Sequence, residues 1–406
     1  MEIRPIYRCS VGIDVHLMSF AVCIIIQGEE NTEPEVHQRE FGGFKRDKRA
    51  MAQWIASFSP DIVVMESTGI YWKSPYAALE KVGIHALVVN AHHVKQVPGR
   101  KTDDTDAQWL AILARSGLLR GSFIPAGNLR NLRHIARYHK ILTGQLAAEK
   151  NRLVKILSDA GIRISAVVSD PHGQSATAMI DCLLNGGTPV QALGYASNRL
   201  KASKEKLLMA LEGDLSEEHI LIAKMQRRHI DYLYDKLAEL EDELILRLAP
   251  YRPAMELLMT IPGVDTLSAA ELIVEIGTDM SAFGSAAKLS MWAGVCPGNH
   301  ESAGKRYSGK TQKANRFLRS LLCQIAWAAV RTTSQFKSKY QSLVIRRGTK
   351  RAIVAIAHKV LKTVFVLLKR NVPYQDSTVN YEELMVKRNA PRWIRALKQH
   401  GFLPQN

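Results

Sequence analysis

The chain has 406 residues, 46% of them hydrophobic and 23% charged, which is enough for two or three domains with cores of their own and excludes a disordered tail protein. Its five cysteines, at 9, 23, 182, 296 and 323, include no C-x-x-C pair, so neither a zinc ribbon nor a disulfide framework is indicated and a reducing cytosol fits. No apolar run approaches the ~20 residues of a membrane span, and the opening MEIRPIYRCS lacks a charged-then-apolar signal pattern; a soluble, intracellular protein is expected. The net charge of +17 is unevenly spread. From residue 301 onward, 22 lysines and arginines face four acids, Glu301, Asp376, Glu382 and Glu383, while the first 300 residues sum to −1. So lopsided a split marks a surface that meets phosphates, and nucleic acid is favoured over a membrane because the basic quarter has no lipid-like amphipathic stripe.

Residues 9 to 16, 20 to 26 and 34 to 42 read as three short strands. In KRDKRAMAQWIASF, 45 to 58, Met51, Trp54, Ile55 and Phe58 share a helical face. DIVVMEST is a continuous apolar strand ending on Glu66, followed by a helix at 74 to 82, a strand at 84 to 90 and a helix from about 103 to 117. Three strands and then alternating strands and helices make a mixed sheet with helices on its faces. The remainder is mostly helical. Residues 129 to 160 and 200 to 211 are amphipathic, with GIRISAVVSDPHGQS between them as a loop and short element. From 216 to 249, Ile230, Leu233, Leu237, Leu240, Leu244 and Leu248 recur at three- and four-residue steps until Pro250 and Pro253 stop them, a pattern that suits an antiparallel helix pair or a dimeric coiled coil equally. Residues 257 to 277 resemble a helix-hairpin-helix, whose backbone N–H groups can meet a phosphate, although Asp265 falls where glycine is expected. A Gly/Ser/Lys-rich connection covers 297 to 313.

Asp14 ends the first apolar strand and Glu66 the fourth. In KTDDTDAQWLAILARSG, a helix starting near Thr102 puts Asp103 and Asp106 at i and i+3 on one face. Each acid has an ordinary alternative as a turn residue, a cap or a partner of the helix dipole. Together, four carboxylates at one sheet edge repel one another unless a cation sits among them, and hard oxygen donors point to Mg²⁺ or Mn²⁺, as in phosphodiester cleavage. In NHESAGKRYSGKTQKANRFLRSLL, Ser302 precedes Lys305, Arg306, Lys310, Lys313, Arg316 and Arg319. A serine in such a setting can attack phosphorus with bases neutralising the developing charge, or it is a plain loop serine in a DNA-contacting segment. His92 and His93, after strand 84 to 90, can help move protons but read as solvated loop histidines, and Tyr71 and Trp72 can stack a base but read as core. No G-x-G-x-x-G or H-E-x-x-H motif occurs.

Assembled in order, GIDVH, MESTGIYW, VPGRKTDDTDAQWLA, SDPHG, IPGVDTLSAAELIVEIG and above all WAGVCPGNHESAGKRYSGKTQKANRFLR resemble the DEDD transposases of bacterial insertion sequences, the RNA-guided serine recombinases called bridge recombinases, over nearly the whole length. The resemblance implies an α/β N-terminal RuvC-like domain of RNase H fold with a mixed sheet, followed by mainly α-helical coiled-coil and transposase domains. The boundaries expected are 1–122, 123–252 with the coiled coil, 253–345 with the catalytic serine, and a basic helical region at 346–406. It further implies a metal-binding tetrad of Asp14, Glu66, Asp103 and Asp106 and a catalytic Ser302 that forms a phosphoserine link to DNA. The partners implied are donor and target DNA, a structured noncoding guide RNA and further copies of the chain in a dimer or tetramer. A cytoplasmic, nucleoid-associated location follows. Two departures stand out: His16-Leu17 follow G-I-D-V where a small residue and lysine are usual, and Ala314 replaces a glycine in K-x-N. The rivals are a junction-resolving nuclease that uses water, a non-catalytic nucleic-acid-binding regulator, and an ATPase sharing the same sheet, which the basic C-terminal quarter disfavours.

Overall fold

The computed structural model describes residues 5–28, 33–67, 69–94, 97, 105–298, 300–309, 311, 314–376 and 381–404. Contacts divide the chain into two compact units, Met1–Gly127 and Asn128–Asn406. The first is built on β1 (Cys9–Val15), β2 (Ser19–Ile26), β3 (Glu35–Gly42), α1 (Lys45–Ser57), β4 (Ile62–Glu66), α2 (Lys73–Glu80), β5 (Leu87–Val89), a short α3 (Ala91–Val94) and α4 (Asp106–Arg115). The five strands form one mixed sheet in the order β3-β2-β1-β4-β5, with β1 antiparallel to β2 and parallel to β4. β1 reads as an unbroken apolar run because it is covered on both faces. Val11, Ile13 and Val15 pack with Met51 and Ile55 of α1 and Leu79 of α2, while Val64 on β4 and Ile25 on β2 turn to the other face, against Leu110 and Ala111 of α4. β5 is shorter than the strand expected at 84 to 90, because as an edge strand it pairs only with Val64 to Glu66. Trp72 packs against the core edge-on to Tyr76, with ring centroids 5.8 Å apart, but Tyr71 is 38% exposed rather than in the core.

Gly12 sets how closely α4 lies on β1. A Cβ placed there would stand 2.1 Å from the Ala107 carbonyl oxygen and 2.5 Å from the Ala111 nitrogen, both backbone atoms that cannot swing aside. Gly12→Ala is therefore expected to destabilise the first unit by about 1–3 kcal/mol, the usual range for overpacking, seen as an earlier urea midpoint.

Among its described residues the second unit is mainly helical and includes one hairpin. It contains α5 (Gly127–Asp159), α6 (Ile164–Val167), α7 (Gln174–Leu184), α8 (Pro189–Leu193), α9 (Lys204–Leu211), α10 (Glu217–Arg247), α11 (Arg252–Met259), α12 (Thr266–Ile276), α13 (Ala286–Trp292), β6 (His300–Ser302), β7 (Lys305–Ser308), α14 (Arg316–Ala329), α15 (Gln335–Arg347), α16 (Thr349–Arg370) and α17 (Tyr381–Gln399). The leucine-rich repeat of α10 finds its partner inside the same chain. α5 and α10 run antiparallel, as the contacts His139–Glu241, Glu149–His229, Lys150–Tyr234 and Asp159–His219 show in succession. Their seam joins Leu142, Leu146, Leu153 and Leu157 to Ile230, Leu233 and Leu237, and α7 closes the cluster with Met179, Ile180 and Leu183. α7 and α8 go beyond the elements read from the sequence. α8 has only five residues, too few to show a period.

Where α5 meets α10 and α12, His139 is buried between two carboxylates. Its Nδ1 lies 3.6 Å from Glu271, an ion-pair distance rather than a hydrogen bond, and its Nε2 is 2.9 Å from Glu241. Glu271 and then Glu241 raise the imidazole pKa, against the opposing effect of burial. A raised folded-state value means that this stabilisation is complete below the unfolded pKa of about 6.5 and is lost as pH climbs through the folded one. The urea midpoint is expected to fall over that alkaline-going window, and His139→Gln to flatten the slope.

The helical hairpin expected at 257 to 277 forms from α11 and α12, but its N-terminus is already capped. The Asp265 carboxylate accepts the Ser268 N–H and places a negative charge where a phosphate would bind, so this helix start is poorly suited to an anion. The connection expected at 297 to 313 contains the antiparallel pair β6–β7, turned by Ala303 (φ 49°) and Gly304 (φ 74°). Two successive positive φ values define a type I′ turn, and alanine in its first position hides the hairpin from a sequence scan for Asn-Gly or Asp-Gly. Among the described residues no helix is long and apolar enough to cross a membrane.

Candidate active site

β1 and β4 are paired in parallel through Ile13 and Met65, so the next residues, Asp14 and Glu66, stand side by side at the C-terminal ends of adjacent strands. Alternation along each strand puts both on the α4 side of the sheet, since Val64 packs on α4 and Gly12 lies beneath Ala107. Asp106 opens α4 one residue before Ala107 and lies at the same end. Three of the acids singled out in the sequence thus lie toward the same end of the first unit's sheet. The Asp14 side chain is 16% exposed, and its Oδ2 lies 3.0 Å from His16 Nε2. The residue that departs from the usual pattern after G-I-D-V is therefore a direct partner of the first carboxylate.

The start of α4 corrects one expectation. Thr105 is extended (φ −66°, ψ 158°) and its hydroxyl accepts the Gln108 N–H, which makes it the N-cap, so the helix begins at Asp106 and not near Thr102. Asp103 itself lies outside the described residues, as do Lys310 and Lys313. The donor set is all carboxylate oxygen, which suits a hard divalent cation such as Mg²⁺ or Mn²⁺ better than zinc. Among the described residues no ready-made group of three His, Cys, Asp or Glu ligands is present.

Ser302 is the last residue of β6, and the backbone register sets it opposite Lys305 across the two-residue turn, with Glu301 opposite Arg306. The structure describes the backbone but not the side chains of Ser302 and Arg306. Lys305 is exposed, Arg316 is exposed with its guanidinium 5.0 Å over the Phe317 ring, and Arg319 lies one turn further along α14.

The sequence reading missed the network that holds this basic helix. Glu275, only 3% exposed on α12, receives two hydrogen bonds from Arg137 at 2.9 and 3.1 Å and one of 2.6 Å from the Asn315 side-chain amide. Asn315 in turn caps α14, its Oδ1 accepting the N–H groups of Phe317 and Leu318. Arg133 completes the cluster through the Glu275 and Val274 carbonyls, its pKa pushed down to about 10 by burial against the pull of Glu275. The signal for Glu275 in the sequence is an acid on the apolar face of ELIVEIG, a charge that stays buried only if it is paired.

Comparison with known proteins bears on both units. A transposase family model for DEDD transposases of the IS110 type matches residues 11–162, and a second, described as Transposase IS116/IS110/IS902 family, matches residues 255–341. The chain is 27% identical over 346 residues to the transposase for insertion sequence element IS1111A of Coxiella burnetii, covering 82% of this chain and 84% of that protein. It is 25% identical over 335 residues to the insertion element IS900 uncharacterized 42 kDa protein of Mycobacterium paratuberculosis, covering 74% and 81%. Asp14, Glu66 and Asp106 fall within the first matched segment, and Ser302, Lys305, Arg316 and Arg319 within the second. With a mixed-sheet unit carrying the strand-end acids and a helical unit carrying the basic serine segment, this chain belongs to the IS110/IS116/IS902 family of DEDD transposases.

Proposed function

We infer that the chain is a metal-dependent DNA recombinase that mobilises its own insertion sequence through a serine–DNA covalent intermediate. The observation that carries the reading is the side-by-side placement of Asp14 and Glu66 at the ends of paired parallel strands, with Asp106 opening the helix above them, in a chain of a transposase family. The strand order β3-β2-β1-β4-β5 is consistent with an RNase H-like sheet. Asp14, Glu66, Asp106 and Asp103 would hold Mg²⁺ or Mn²⁺, which when bound supplies charge neutralisation at the scissile phosphate. Ser302 is the nucleophile. Its hydroxyl oxygen bonds to phosphorus as the phosphorus–oxygen bond to the leaving deoxyribose breaks, and the proton lost by the serine is made good on the leaving oxygen. Lys305, across the hairpin from Ser302, together with Arg306, Lys310, Lys313, Arg316 and Arg319, binds the DNA backbone and offsets the charge that builds on phosphorus. A structured noncoding RNA that pairs with donor and target DNA supplies the sequence choice, and several copies of the chain assemble on the two duplexes.

The test is Asp14→Asn with Glu66→Gln, single and double, assayed for Mg²⁺-dependent cleavage and strand exchange on a supercoiled donor. Cleavage is expected to fall by at least about 10³-fold while DNA binding changes by less than about threefold. Wild-type cleavage rates in either variant would remove the carboxylates from the chemistry and leave the regulator reading in their place.

A further inference from the structure

We propose that the cleft between α15 and α16, which begins at the foot of the serine hairpin beside Pro297, Gly309 and Thr311, is a binding groove for a single-stranded segment of nucleic acid. This rests on the reading of the chain as a nucleic-acid recombinase and adds to it a contact surface beyond the hairpin with a different preference. The two helices are joined at Gly348 (φ 73°) into an antiparallel pair and line an open groove of about 1750 Å³. A small-molecule pocket measures roughly 300–1,000 Å³, so the space suits part of a polymer.

Gln335, Lys339, Leu343 and Arg347 recur every four residues along α15 and form one stripe on the groove wall. Arg351, His358 and Lys362, at seven- and four-residue steps, share one face of α16 with Val354, Ala355 and Val366, while the opposite face of α16 is buried in the core. Arg319 and Lys350 extend the basic rim. Among the described residues that line the groove there is no aspartate or glutamate. One carboxylate, Asp376, stands at the end of the groove, where it accepts the Gln335 N–H and the Tyr374 hydroxyl; the lining itself is of one charge sign and fits a polyanion.

The apolar floor decides which polyanion. Leu343, Val354, Ala355 and Val366 lie between the cations, with the Tyr374 ring at one end. A duplex keeps its bases stacked inside and would touch only the rim, since packed helices stand about 8–10 Å apart. A single strand presents phosphates and base faces together, and so can use walls and floor at once. The groove lysines already hold an aromatic ring in this manner. Lys339 and Lys359 lie 4.4 and 4.3 Å from the centroid of Tyr381 on α17, and Lys359 donates to its hydroxyl at 2.8 Å. α15, with 13 residues at ~1.5 Å per residue, gives the groove a length of about 20 Å, room for about four nucleotides.

The experiment uses the full chain and about 12-nucleotide labelled oligonucleotides of one sequence as single-stranded DNA, single-stranded RNA and duplex DNA, read by fluorescence anisotropy across a salt series. Lys339→Gln with Arg351→Gln, and separately Lys362→Gln, alter exposed or half-exposed side chains, and circular dichroism checks that the helices persist. The double variant is expected to lose at least about tenfold in single-strand affinity, with a log–log salt slope shallower by about 1.4 (two contacts at ~0.7 each) and duplex binding within about twofold. Tighter binding of the RNA strand than of the DNA strand would assign the groove to RNA, and the reverse to DNA. Photocrosslinks from thio-substituted strands should fall in α15 and α16. Equal losses on strand and duplex, an unchanged strand affinity, or crosslinks confined to other segments would overturn the groove. If the wild type bound the duplex but neither strand, the groove alone would fail, whereas a wild type that bound no nucleic acid would remove the recombinase reading itself.

Discussion

Ser302→Ala is expected to abolish the covalent protein–DNA adduct while leaving DNA affinity within about twofold. The change removes a single hydroxyl and no charge, so the cations proposed to bind phosphate, beginning with Lys305 across the hairpin, remain in place. The assay is a denaturing gel of labelled DNA quenched during turnover, on which the adduct migrates with the protein. Persistence of the adduct in the alanine variant would assign the nucleophile elsewhere, and wild-type cleavage with no adduct would favour water as the attacking group. Lys305→Ala is the companion change. Because the two residues are partnered across the tightest part of the hairpin, loss of the ammonium should slow adduct formation by about a hundredfold, the scale seen when one stabilising donor is taken from a developing oxyanion.

Glu275→Ala should cost about 3–5 kcal/mol of stability, the range for breaking a buried ion pair from one side. Arg137 loses both of its hydrogen bonds to the carboxylate, Arg133 is left charged in a site that already lowers its pKa, and the Asn315 amide loses its acceptor. Removing an exposed cation such as Arg316 should stay within about 0.5 kcal/mol by comparison, because water replaces what is lost. The urea midpoint measures the difference. A loss below about 1 kcal/mol for Glu275→Ala would mean that the cluster relaxes or floods with water. Since Asn315 also caps α14, the variant should show faster proteolysis around residues 314–319 before global unfolding, whereas a purely global effect would leave the cleavage pattern unchanged.

Much of the first unit could be read from local pattern alone. β1, β2 and β4 are covered on both faces and so run as unbroken apolar stretches, and α1 carries Met51 and Ile55 at helical spacing. The acids at strand ends, Asp14 and Glu66, were legible for the same reason, since a carboxylate closing an apolar run stands out. That they are neighbours was not, because adjacency depends on the parallel register of β1 with β4, a pairing between segments some fifty residues apart. The start of α4 turned on one hydroxyl. Among several Thr and Asp candidates, Thr105 takes the cap, and sequence preference does not rank them.

In the second unit the periodicity of α10 was plain, but whether a leucine stripe meets a second copy or another helix of its own chain is a tertiary matter. The contacts from His139–Glu241 to Asp159–His219 decide for the latter. The hairpin carrying Ser302 was hidden by Ala303 at a positive φ, a conformation imposed by the two strands and not advertised by the residue. The basic quarter was visible as a count of charges. Its resolution into a serine hairpin, a capped helix anchored on Glu275 and a groove between α15 and α16 was not, because charge is additive along a chain whereas a binding surface depends on which side chains the fold brings to the same side. Composition and periodicity determined the class of partner and the kinds of element. Register, capping and long-range pairing, which depend on contacts between distant segments, decided where the strand-end acids and the basic segments lie.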